Sequence, residues 1–181
     1  DYTLDELVAI NNKSNGAITL STDNAPISGA SSDYAAALAG TINYAGNVTI
    51  SNANYSVSEL TNINNGTTGS ITLNTTDTAL SGNSTDLADA LAGTINYAGD
   101  VTVTNNDYTV AELKAINAGT SGSITLSLPV ANLSGTVADV VAAFAGTVTT
   151  NTGTLTISDA GTTDITATDI TTIDTAITGA I

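Results

Sequence analysis

Carboxylates are nearly the whole of this chain's reactive inventory. Its 181 residues include 17 Asp and Glu against 2 basic residues, Lys13 and Lys114, and neither His nor Cys. Thiolate and imidazole chemistry are therefore excluded. An enzyme built from this chain would have to pair carboxylates as general acid and base, as glycan-cleaving enzymes do. The spacing argues against that. Glu6, Glu59 and Glu112 recur at steps of 53, as do Asp33, Asp86 and Asp139. A catalytic pair is needed once, whereas a helix cap is needed at every helix. Each of the three glutamates stands three residues after a hydroxyl, in Thr3-Leu4-Asp5-Glu6, Ser56-Val57-Ser58-Glu59 and Thr109-Val110-Ala111-Glu112. That is the reciprocal pattern that satisfies free amides in a first helical turn, where a carboxylate also opposes the helix dipole favourably. Asn83 with Asp86, Thr136 with Asp139 and Thr166 with Asp169 repeat the theme. These groups are expected to be structural, and the chain to be no enzyme.

No cofactor is expected either. Calcium is the ion the composition leaves open, because it asks only for oxygen ligands. There is, however, no EF-hand loop and no glycine-rich calcium nonapeptide. The regular series Asp159, Asp164, Asp169 and Asp174 would rotate around a helix rather than converge, and reads as a solvated acidic face. A formal net charge of -15 sets aside nucleic acids and anionic membranes as partners. No run approaches the roughly 18 apolar residues of a membrane span. The absence of Cys is compatible with export. The opening Asp1, where a nascent chain has Met, is expected of a processed product or of a segment of a longer protein.

What positions these residues is a repeat. Tyr2, Tyr55 and Tyr108 mark a step of 53, and so do Leu7, Leu60 and Leu113, or Gly40, Gly93 and Gly146. TINYAG occurs intact at residues 41–46 and 94–99. Each unit splits into halves marked by an apolar-Thr-apolar triplet that reads as a strand: Ile18-Thr19-Leu20, Val48-Thr49-Ile50, Ile71-Thr72-Leu73, Val101-Thr102-Val103, Ile124-Thr125-Leu126 and Leu155-Thr156-Ile157. After each come turn residues and then apolar residues at helical spacing, as in Leu4, Leu7, Val8 and Ile10, or Leu87, Ala90 and Leu91. Gly40, Gly93 and Gly146 stand where those helices should stop.

The expected fold is an α/β repeat solenoid, with short parallel strands alternating with short helices and two strand-helix coils per 53-residue repeat. It would be a single solenoid over residues 1–181, with repeats near 1–53, 54–106 and 107–160 and a partial one at 161–181. The competing fold is an all-β parallel solenoid, since Thr, Asn and Gly abound and the stretch Thr166 to Thr178 is rich in β-branched residues.

Strand alternation would turn a second set of side chains outward: Thr19 and Ser21, Thr49 and Ser51, Thr72 and Asn74, Thr102 and Thr104, Thr125 and Ser127, Thr156 and Ser158. Stacked at about 4.8 Å, these pairs would form a polar lattice. Such a lattice is similar to the threonine arrays of ice-binding solenoids, which makes a ligand- or ice-binding module one alternative function. Outward Thr ladders also simply stabilise sheets.

The segments GSITL and YTVAELKAIN, recurring in alternation, resemble the tandem-repeat arrays of very large exported surface proteins of bacteria, cyanobacteria especially. The resemblance implies an extracellular or cell-surface filament, sheath, fibre or stalk of a giant adhesin. A surface glycan is a further expected partner. It transfers no functional residue. The ends add a separate expectation. Asp1 and Tyr2 open inside a unit, and Gly179-Ala180-Ile181 repeats the strand start Gly16-Ala17-Ile18. Both ends would leave unpaired strand edges, so head-to-tail association with copies of the same chain into a homopolymer is expected.

Overall fold

The computed structural model describes residues 2–159, 161 and 165–181. They form two compact units, Asp1–Thr78 with Asp89–Ala98, and Ala79–Ala88 with Gly99–Ile181.

The first unit runs α1 (Leu4–Asn11), β1 (Ile27–Gly29), α2 (Ser31–Ala37), β2 (Val48–Ile50), α3 (Val57–Gly66) and β3 (Ile71–Leu73). Its strands form one parallel sheet in the order β1-β2-β3, with Ser28, Thr49 and Thr72 in line. Helix α2 packs between α1 and α3. The helices carry 8, 7 and 10 residues, too few to persist alone in water, so packing sustains them. Leu7, Tyr34, Leu38, Val48, Ile50, Leu60 and Ile63 make the core, the strand members alternating with outward threonines.

The second unit repeats this plan with β4 (Leu80–Gly82), α4 (Ser84–Ala90), β5 (Val101–Val103), α5 (Val110–Gly119) and β6 (Ile124–Leu126). It continues with β7 (Leu133–Gly135), α6 (Val137–Ala143), β8 (Leu155–Ile157) and α7 (Ala167–Ala176). Residues Asp89 and Ala90 at the end of α4 belong to the first unit. The sheets are β4-β5-β6, with Ser81, Thr102 and Thr125 in line, and β7-β8, with Ser134 beside Thr156. All pairings are parallel. Val101, Val103, Leu113, Ile116, Ile124, Val140 and Ala143 are buried.

The fold is thus α/β, with short parallel strands and helices in small sheets, and the all-β alternative is overturned. Thr166 to Thr178, its best support, contains α7, because the cap at Thr166 and Asp169 outweighs the weak strand preference of β-branched residues. Thr3, Ser56, Thr109 and Thr166 all start helices with complete capping boxes. Gly40, Gly93 and Gly146 have φ of 80°, 74° and 71°, the left-handed turn that ends a helix at little cost only for glycine.

Two strand expectations need correction. Ile18-Thr19-Leu20 is not a strand, and makes a single parallel bridge from Ile18 to Ile42. The 30- and 31-residue steps between marker threonines also conceal a third strand, β1, β4 or β7. Each is Ile/Leu-Ser-Gly, placed directly before a helix. The second and third repeats therefore hold three strands each, one more than the two-coil scheme provides, while the first, with no strand at Ile18-Thr19-Leu20, holds two.

Candidate functional site

Several of the recurrent carboxylates and amides that might have done chemistry are engaged with backbone or hydroxyl groups of neighbouring segments, whereas among the described residues Glu6 binds only Thr3 in its own helix cap. Glu112 shows the pattern most fully. One oxygen accepts from Thr109 N at 2.8 Å, Thr109 Oγ1 at 2.9 Å and Ser84 Oγ at 3.1 Å, and the other accepts from Thr85 Oγ1 at 2.7 Å. The same carboxylate thus caps its own helix and ties it to the start of α4. Burial raises its pKa, but the bonds from Thr85, Thr109 and Ser84 outweigh burial and hold it below the usual carboxylate value. Glu59 repeats the geometry in the first unit, accepting from Ser56 N at 2.8 Å and Ser31 Oγ at 3.2 Å. Asp139 caps α6 through Thr136 and meets Lys114 Nζ at 2.5 Å, and the bond from Lys114 is the main cause of its lowered pKa. Carboxylates held as anions by several donors are poor general acids.

Asparagine does comparable work that was not anticipated from the sequence. Asn96 Oδ1 accepts from Leu73 N at 2.6 Å and its amide donates to Leu73 O at 3.2 Å, so one side chain completes a strand edge. Asn43 makes the same pair of bonds to Leu20, which lies outside any strand, and Thr149 takes the place for Leu126. Asn52 and Asn105 accept from the first amides of α2 and α4, Ser31 N and Ser84 N, each at 2.8 Å. Asn11, Asn64 and Asn117 donate to Ala36 O, Asp89 O and Ala142 O near the ends of following helices. The signal lay in the 53-residue step of Asn11, Asn64 and Asn117, obscured by the sheer frequency of Asn.

The outward hydroxyl set is placed as follows. Thr49 and Thr72 are sheet neighbours, as are Thr102 and Thr125, whereas Thr156 pairs with Ser134 and Thr19 lies outside any strand. Serines that sequence reading passed over, Ser28 and Ser81, flank Thr49 and Thr102. Thr49 and Thr102 are half-buried; Thr19, Ser21, Ser51, Thr72, Asn74, Thr104, Thr125, Ser127, Thr156 and Ser158 are exposed. The set is therefore arranged in two short Ser-Thr-Thr rows and one Ser-Thr pair, not in six equal Thr rungs. The concealed third strand is the cause.

At the ends, Asp1 lies outside the described residues, and Tyr2 is half-buried. Ala180 O accepts from Leu155 N at 2.8 Å, so Gly179, Ala180 and Ile181 run beside residues 153–155, with Ile181 63% exposed. Asp164 also lies outside the described residues. Asp159 accepts from Val137 N at 2.6 Å, Asp169 caps α7, and Asp174 is exposed. Among the described residues, no group of three or more acidic side chains could hold a metal ion, and no helix is long and apolar enough to cross a membrane.

Compared with protein-family models, curated proteins and solved structures, the chain matches none.

Proposed function

We propose that this chain is a non-enzymatic structural repeat module, a solenoid segment of an extracellular filament, sheath or surface array that associates with copies of itself. The observation that carries the reading is the use of its recurrent polar side chains. Glu59 and Glu112, 53 residues apart, cap one helix and bind the start of another, and Asn43 and Asn96 bind the backbone of Leu20 and Leu73 in the same step. Selection that repeats a bond on every unit favours a scaffold whose length matters, since a catalytic site gains nothing from such repetition. The resemblance of its repeats to arrays of large exported surface proteins supports the location. The charge of -15 supports a chain kept soluble by self-repulsion until aligned contacts form.

Electron microscopy of the purified chain, with sizing by light scattering, tests the reading. Fibres or rods with a constant axial repeat, longer at higher salt as repulsion is screened, are the expected result. A monomer at every salt and protein concentration would remove self-association from the proposal. Release of sugars from a glycan panel by the pure chain would overturn its non-enzymatic part.

A further inference from the structure

A cleft of about 530 Å³ opens between α6 and α7 in the second unit. Its origin is legible in single residues. At the matching junction of the first unit, Gly66 at the end of α3 lies so near Leu38 that a Cβ there would stand 2.4 Å from Leu38 Cβ. Aligned on the capping boxes, Ala176 takes the place of Gly66, and Phe144 that of Leu38. A methyl and a larger ring do not fit that gap, so α7 stands off from α6. In the same alignment Thr168, Thr172 and Thr175 replace Ala111, Ala115 and Ala118 of α5, so the standing face carries hydroxyls.

The wall chemistry restricts what can enter. Val141, Phe144 and Val148 supply an apolar side. Opposite them, Thr171, Thr172 and Thr175 donate their hydroxyl hydrogens to the carbonyls of Ala167, Thr168 and Thr171, at 2.9, 3.0 and 2.8 Å. With those hydrogens spent, the three oxygens are left as acceptors. None of the described lining residues is ionisable. An anion would find no cation, only the hydroxyls of Thr150 and Thr168 as donors, and an ammonium group would lose water without gaining a carboxylate. What remains is a neutral molecule with many O–H donors and an apolar ring face, and the volume is in the range of small-molecule sites.

We propose that this cleft binds a neutral saccharide of one or two rings, its hydroxyls donating to Thr171, Thr172 and Thr175 and its ring face resting on the Val141, Phe144 and Val148 side. The site is separate from the bonds that support the structural reading, and either can fail without the other.

The test is a titration of the full isotope-labelled chain with cellobiose and with maltose, followed by amide NMR shifts. Shifts confined to α6 and α7, with a dissociation constant on the order of 1 mM that salt leaves unchanged, are expected. The Thr172→Val, Thr175→Val double variant keeps the side-chain shape and removes two acceptors. It should weaken binding roughly tenfold with circular dichroism unaltered. Should that variant not fold, Thr175→Val alone carries the comparison. No shifts in α6 and α7 at sugar concentrations about tenfold higher, equal binding by the folded Val variant, or salt-sensitive binding of spermine in place of sugar would each overturn the proposal.

Discussion

Asn96 and Glu112 look unremarkable in a chain full of Asn and poor in charge, yet each holds two separate stretches of backbone or hydroxyl together. Removing Asn96 strips Leu73 of partners for both its N–H and its C=O. Asn96→Ala should therefore cost about 1–2 kcal/mol in urea unfolding, more than a surface change, because a partly buried amide is left unpaired. Asn96→Asp keeps the acceptor and loses the donor, and should cost less. Glu112 sets a pH dependence. Its folded pKa lies below the unfolded value, so its contribution is present above about pH 4.5 and is lost as pH falls through the folded value. Asp139 and Asp169 are shifted the same way, chiefly by Lys114 and by Thr166. Acid titration of stability should fall in that window, and Glu112→Gln should flatten part of the fall.

At the scale of elements, strand-to-strand approach depends on glycine in a position-specific way. A Cβ on Gly69 would stand 2.3 Å from Gly46 O, and one on Gly122 would stand 2.2 Å from Gly99 O. Gly16, at the same point of the repeat, has nothing within 4 Å. Gly122→Ala should destabilise by roughly 2 kcal/mol or more, because backbone must move, while Gly16→Ala stays within about 0.5 kcal/mol, as thermal melts can show. Much of this level is legible in sequence. Val48-Thr49-Ile50 announces a strand by alternation, and Thr109 with Glu112 announces a helix start. Ile27-Ser28-Gly29 does not announce itself, since three residues ending in glycine carry too little pattern and are strands only because β2 lies beside them. The asparagine bonds are hidden for a similar reason. Asn96 and Leu73 are 23 residues apart, and only the fold brings them together.

For the molecule as a whole, 17 acidic residues against 2 basic ones mean that folding concentrates negative charge. Added salt should raise the unfolding temperature at neutral pH by screening that repulsion. The alkaline limit belongs to tyrosine. Burial raises the pKa of Tyr34, Tyr44, Tyr55 and Tyr108, so each phenol stabilises the fold below about pH 10, and that stability is lost as pH rises toward the folded values. Unfolding followed by tyrosinate absorbance should accordingly be cooperative above about pH 10, not a gradual titration of exposed rings.

Recurrent polar side chains such as Asn96 and Glu112 are consumed in joining neighbouring segments. Site-resolved amide hydrogen exchange tests it most directly, at Leu20, Leu73 and Leu126, whose N–H groups are bound by the side chains of Asn43, Asn96 and Thr149. All three should be protected in the native chain, with Asn96→Ala releasing Leu73 while Leu20 and Leu126 stay protected. Exchange of Leu73 at the free-peptide rate in the native chain, or no change on replacing Asn96, would contradict it.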